Sequence, residues 1–283
     1  MVYADNMTLS ARNSFFMGAI VFSAVSLGLV LAGGYYGFSV FHAAAAEASL
    51  RSQGILQFFA VRLAEASAVV PFWTILCSVT YSLISIILIY YFFENTQSPE
   101  ILFFVIFILT FSLEFVRILL PLQKVFPFFS TYIMSASRLL FFGRFFGLFS
   151  LFAAAVYASG LNVQKQRVIF LIMAVTSLYF AMNIPFDSLV WDSTFVLSGS
   201  YNTMFSLAGA GILIISTITF FIAAYTRGSR NYNTIGIGVF LAFMGRNILF
   251  SSDNWITPIP GLILLVIGTW FTCTRLHREY LWS

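Results

Sequence analysis

The chain has 283 residues, of which 60% are hydrophobic, 8% are charged and 35 are Phe. Soluble domains carry about a quarter charged residues and need them to cover their surface. The composition therefore excludes a soluble domain and reads as an integral membrane protein with the lipid bilayer as its solvent. The formal charge of +4 comes from 14 basic residues scattered singly and in pairs, with no run that would track a phosphate backbone, so nucleic acid is excluded as a partner.

A bilayer core needs about 20 apolar residues per helix, and eight stretches qualify. The first is Phe15 to Phe41, preceded by Arg12. The following Ala43–Ala46 resembles a signal-peptidase site, but a secretory signal has a core of only about 7–15 residues. The run is read as an uncleaved first helix; cleavage would leave seven spans with the N-terminus outside. Residues 43–70 form the only sizeable loop. Glu47/Arg51 and Arg62/Glu65 stand at helical spacing there, which predicts a helix lying at the outer surface or packing on the bundle.

The remaining spans are Pro71 to Phe93, Ile101 to Leu120, Leu139 to Ser159, Val168 to Val190, Thr203 to Thr226, Thr234 to Phe250 and Pro258 to Thr274. Polar segments at 94–100, 162–167 and 227–233 separate them clearly. The seventh span is the shortest; without it the count is seven. The expected fold is thus an all-α polytopic bundle of about eight transmembrane helices. It comprises one N-terminal helix (15–41) plus a seven-helix bundle (71–276), within a single integral membrane domain (1–283). One anchoring helix, a short outer segment and seven further helices are similar in architecture to bacterial seven-helix sensor modules, with no shared motif and no cytoplasmic output domain.

Eight spans put both termini on one face, with Arg12, Lys165, Arg167, Arg227, Arg230, Arg275 and Arg278; the other face holds Arg51, Arg62 and Lys124. The positive-inside rule makes the first face cytoplasmic, as in a bacterial inner membrane. Trp191, Tyr201 and Trp255 then mark the outer boundary, and Tyr280 and Trp282 the inner one.

No cofactor or metal is expected. Both lysines, Lys124 and Lys165, lie in polar loops, so no intramembrane Schiff base is available. His42 and His277 fall at opposite faces and cannot share a haem or zinc ion. Cys77 and Cys273 are placed near opposite faces, too far apart for a disulfide. No Asp/Glu pair lies within four residues in any span, and no Gly-x-Ser-x-Gly elbow occurs.

Charged residues inside a bilayer are costly and are functional candidates by default. Six stand out: Glu114, Arg117, Arg138, Arg144, Asp187 and Arg246. Span direction places all six in the outer half and leaves the cytoplasmic half almost purely apolar. Arg144 lies within Gly143-Arg-Phe-Phe-Gly147, whose small residues permit close helix approach and would bring it to Glu114. Pro185 predicts a kink beside Asn183 and Asp187. Gly33/Gly37, Ala208–Gly211 and Gly236/Gly238 predict further close helix contacts.

Two readings of the charges stand. Glu114–Arg144 and Asp187–Arg246 would be neutralising pairs, with Arg117, Arg138 and Arg246 snorkelling to the outer interface. Alternatively, the six line an outward-facing polar site whose excess of Arg suits an anionic ligand, a lipid headgroup or an acidic residue of a partner chain. The functional expectation is a non-catalytic, receptor-like module or subunit that binds a ligand or a partner. A transporter of a small anionic solute or lipid is the first alternative, and a membrane-embedded lipid-modifying enzyme the second.

Overall fold

The computed structural model describes residues 9–49, 67, 69–93, 98–123, 128–186, 191–197 and 202–281. These are helical throughout apart from short connections, and contain one isolated antiparallel bridge, Trp191 to Leu197. The helices are α1 (Leu9–Ser49), α2 (Val69–Phe92), α3 (Pro99–Leu122), α4 (Ser130–Ala158), α5 (Gln166–Met182), α6 (Asn202–Arg227), α7 (Asn231–Phe250) and α8 (Pro258–Leu281). Seven of them are long and apolar enough to cross a membrane, and α5, with 17 residues, is shorter.

The boundaries correct three expectations. The seventh span forms a full 20-residue helix, and the fifth is the short one. Pro185 terminates α5 rather than kinking it. Asn183 caps the helix, its Nδ2 donating to the Tyr179 carbonyl at 2.8 Å, and a proline two residues past the cap has no N–H to continue the ladder. α4 begins nine residues before the expected start at Leu139, so Arg138 lies about two turns inside a helix. Most of the loop at 43–70 falls outside the described residues; α1 itself continues to Ser49.

α3 is the buried axis: every residue from Pro99 to Ile108 is buried. Its start has the local chemistry of a helix N-terminus. Ser98 accepts the Ile101 N–H, Pro99 opens the helix and Glu100 occupies its first turn. α1, α2 and α4 pack around α3; α4 also carries α5 and α6, and α6 leads to the α7–α8 pair. That pair is the tightest, because Gly238 and Gly245 on α7 face Gly268 and Gly261 on α8. A Cβ at Gly245 would meet the Leu265 nitrogen at 2.4 Å.

Within α3, Thr110–Ile118 winds as a nine-residue 3-10 helix. Such runs rarely exceed three or four residues. Here three residues make one turn, so positions i and i+3 eclipse and the rod has three straight ridges. Thr110 and Leu113 face Gly147 and Gly143 of α4. Ser112 and Ile118 face α1 and α2. The Ser112 hydroxyl lies 2.7 Å from that of Ser23 and 2.9 Å from that of Ser82, and Ile118 fills the space at Gly33. The third ridge is Phe111, Glu114 and Arg117.

Candidate functional site: a buried carboxylate–guanidinium cluster

The third ridge brings together the charges of three helices. Glu114 is 1% exposed and Arg117 is fully buried. Arg144 of α4 grips Glu114 with both arms, Nε to Oε1 at 3.0 Å and Nη2 to Oε2 at 3.0 Å. Arg117 donates from Nη1 to the same carboxylate at 3.2 Å. Planar, two-pronged geometry of this kind is the strong form of the carboxylate–guanidinium bond. The Gly143-x-x-x-Gly147 contact that the sequence predicts is what lets α4 approach close enough: a Cβ at Gly143 would sit 2.6 Å from Leu113 Cδ1.

Arg117 and Arg246 do not snorkel. Arg117 turns inward and donates from Nε to the Thr194 carbonyl at 2.9 Å, with Nη2 on the same oxygen. The receiving loop, 191–197, is shaped by Asp192. Its Oδ1 accepts from Thr194 N (2.9 Å), Thr194 Oγ1 (2.7 Å) and Val196 N (3.1 Å), and Phe195 takes a left-handed conformation with φ of 59°. This Asx-type turn exposes the Thr194 carbonyl to Arg117. The sequence reading missed Thr194 because its contribution is a backbone oxygen; the Asp192-Ser-Thr194 turn pattern was the available signal.

Arg246 of α7 is 3% exposed. Its Nη2 donates to the Arg144 carbonyl at 2.9 Å, its Nε is buried without a partner, and it makes no ion pair among the described residues. Its surroundings are aromatic, with Phe250 at 5.2 Å, Phe243 at 5.6 Å and Phe107 at 5.8 Å from the guanidinium carbon. Phe250 also carries Arg144 at 5.1 Å and is therefore shared between two cations. Three guanidinium groups thus meet one buried carboxylate among the described residues. Arg144, with its side chain 22% exposed, is the member that reaches the surface.

Of the two remaining candidates, the structure describes Arg138, which does not join this contact. Arg138 is part-buried on α4, makes no hydrogen bond or ion pair among the described residues, and has a buried Nε without a partner. Asp187, its expected pairing with Arg246 included, lies outside the described residues.

The opposite end of α3 holds a second buried polar cluster, just before the apolar span. Glu100, which the sequence places in a polar loop, is buried there. It accepts from the hydroxyls of Ser98 (2.8 Å) and Tyr280, and lies 3.9 Å from Arg227 Nη2. Arg227 also donates to the Tyr157 carbonyl (3.0 Å) and the Tyr232 hydroxyl (2.7 Å). This second cluster ties α3, α4, α6, α7 and α8 together. Between the two clusters, Ile101–Ile108 is wholly buried and apolar, with Phe103, Phe104 and Phe107 filling the axis.

No protein-family model, no curated protein and no solved structure matches this chain.

Proposed function

We propose that this chain is a non-catalytic integral membrane protein that binds an anionic group of a ligand or partner chain at the Arg144–Arg246 side of the cluster, entered from the outer end. In this reading it resides in a bacterial cytoplasmic membrane with both termini on the cytoplasmic side, as the Lys/Arg bias of its loops suggests. The observation that carries the proposal is Arg246: a buried guanidinium with an unpartnered Nε and no ion pair among the described residues. Charge is retained in an apolar interior when it is paired, and an incoming carboxylate, phosphate or sulfate would complete the pairing. The apolar axis from Ile101 to Ile108 favours binding over transport, because an anion moving on to the far end would have to cross it.

The test is a melting curve in neutral detergent with inorganic phosphate or monododecyl phosphate titrated in, alongside a native mass spectrum. A site filled at 100 times its Kd gains about 2.7 kcal/mol. The expected result is a rise in Tm, or a stoichiometric partner chain, in the wild type and in Arg246→Lys but not in Arg246→Gln. A lone chain whose Tm responds to neither phosphate would overturn the proposal.

A further inference from the structure

A groove of about 650 Å³ runs between α2 and α8. Its walls extend from Leu76 to Phe93 on α2 and from Leu262 to His277 on α8, roughly 22–25 Å at 1.5 Å per residue. Its floor is held by the hydrogen bond between the Tyr81 and Thr269 hydroxyls. The two ends differ. The Leu76/Leu262 end is apolar, whereas the other end carries Thr274 and His277, followed on α8 by the exposed Arg278.

We infer that this groove holds one acyl chain of a phospholipid, with the lipid phosphate at Arg278 and His277. Its length accommodates a chain crossing its own leaflet, about 15 Å of a 30 Å hydrocarbon core. The polarity difference sets the direction. The chain lies along the apolar walls, and the headgroup sits where the histidine and arginine stand, as basic side chains at the end of a membrane helix receive lipid phosphates. The inference rests on the membrane embedding proposed above and is independent of Arg246.

The test reconstitutes the full chain in phosphatidylglycerol vesicles, extracts it in mild detergent and counts retained lipid by native mass spectrometry. Val266 lines the groove and Ile263 does not, and both are exposed on α8, so Trp at either position leaves the core intact. One phosphatidylglycerol is expected on the wild type, on Ile263→Trp and on Arg246→Gln, with loss from Val266→Trp. Arg278→Gln is expected to weaken retention about fivefold, the effect of about 1 kcal/mol per basic residue. A wild type without bound lipid, or equal retention by Val266→Trp, would overturn the inference. So would a lipid-free dimer that Val266→Trp abolishes, since a second copy would then occupy the groove. Unchanged retention in Arg278→Gln would overturn the headgroup position.

Discussion

Glu114 is the residue on which the carboxylate–guanidinium cluster turns. It neutralises Arg144 and Arg117 at once, so removing it takes the ion-pair partner from both guanidinium groups. Breaking a buried pair by deleting one partner costs about 3–5 kcal/mol, and Glu114→Gln is expected to fall in that range in a denaturation series in detergent. Arg144→Leu is expected to lose less, because Arg117 still neutralises Glu114. The double variant Glu114→Leu with Arg144→Leu should not recover stability, since Arg117 remains buried and unpaired. Equal losses from the two single variants would mean that Arg117 does not share the carboxylate. The Glu114–Arg144 pair was legible in the sequence from the similar depth of both residues in their spans and the Gly143/Gly147 spacing. The inward turn of Arg117 and Arg246 was not: depth along a helix can be counted from the sequence, whereas the direction of a long flexible side chain depends on what the neighbouring helices offer.

At the scale of the element, small residues decide where helices touch. Gly245 and Gly268 face backbone atoms of the partner helix, with a Cβ brought to 2.4 Å in each case, while nothing lies within 4 Å of a Cβ at Gly211. Gly245→Ala is expected to push α7 and α8 apart and lose about 1–3 kcal/mol, the range for overpacking a close contact. Gly211→Ala should be neutral or gain up to about 1 kcal/mol from helix propensity. Parallel melting curves separate the two, and equal effects would contradict the α7–α8 contact. The glycine pattern was readable for Gly143/Gly147 and for Gly238, but the stretch Ala208–Gly211, which predicts a close contact, leaves its alanines exposed. Small residues permit an approach without requiring one. The 3-10 winding of Thr110–Ile118 had no local signature at all. It aligns three ridges with three different neighbours, a condition that exists only once those neighbours are assembled.

At the scale of the whole molecule, the loops collect at two ends. Asp253 accepts the Ser193 hydroxyl at 2.9 Å and the Ser67 N–H at 2.8 Å, joining three connections at one end. Glu279 accepts from Ser229 and Asn231, both at 2.8 Å, at the other, where Glu100 is also buried. Cysteine introduced at the exposed Ile256, in a background without Cys77 and Cys273, is expected to react with an impermeant maleimide in intact cells. Cysteine at the exposed Lys165 should react only after permeabilisation. The opposite pattern would invert the proposed orientation, and labelling of both from outside would break the separation of the two ends.

The sequence alone determined the helical class, the positions of the apolar segments and the separation of their connections, because each helix satisfies its own backbone hydrogen bonds and its length follows from a run of apolar residues. The end of α5 at Asn183 and Pro185 and the start of α3 at Ser98-Pro99-Glu100 were also written locally, in capping chemistry. Tertiary structure decided which charges meet, that Glu100 is buried, and that Arg246 packs on aromatic rings without an ion pair among the described residues. Those outcomes depend on the rotation of each helix about its axis and on the identity of its neighbours, and both are set by packing between segments far apart in the chain.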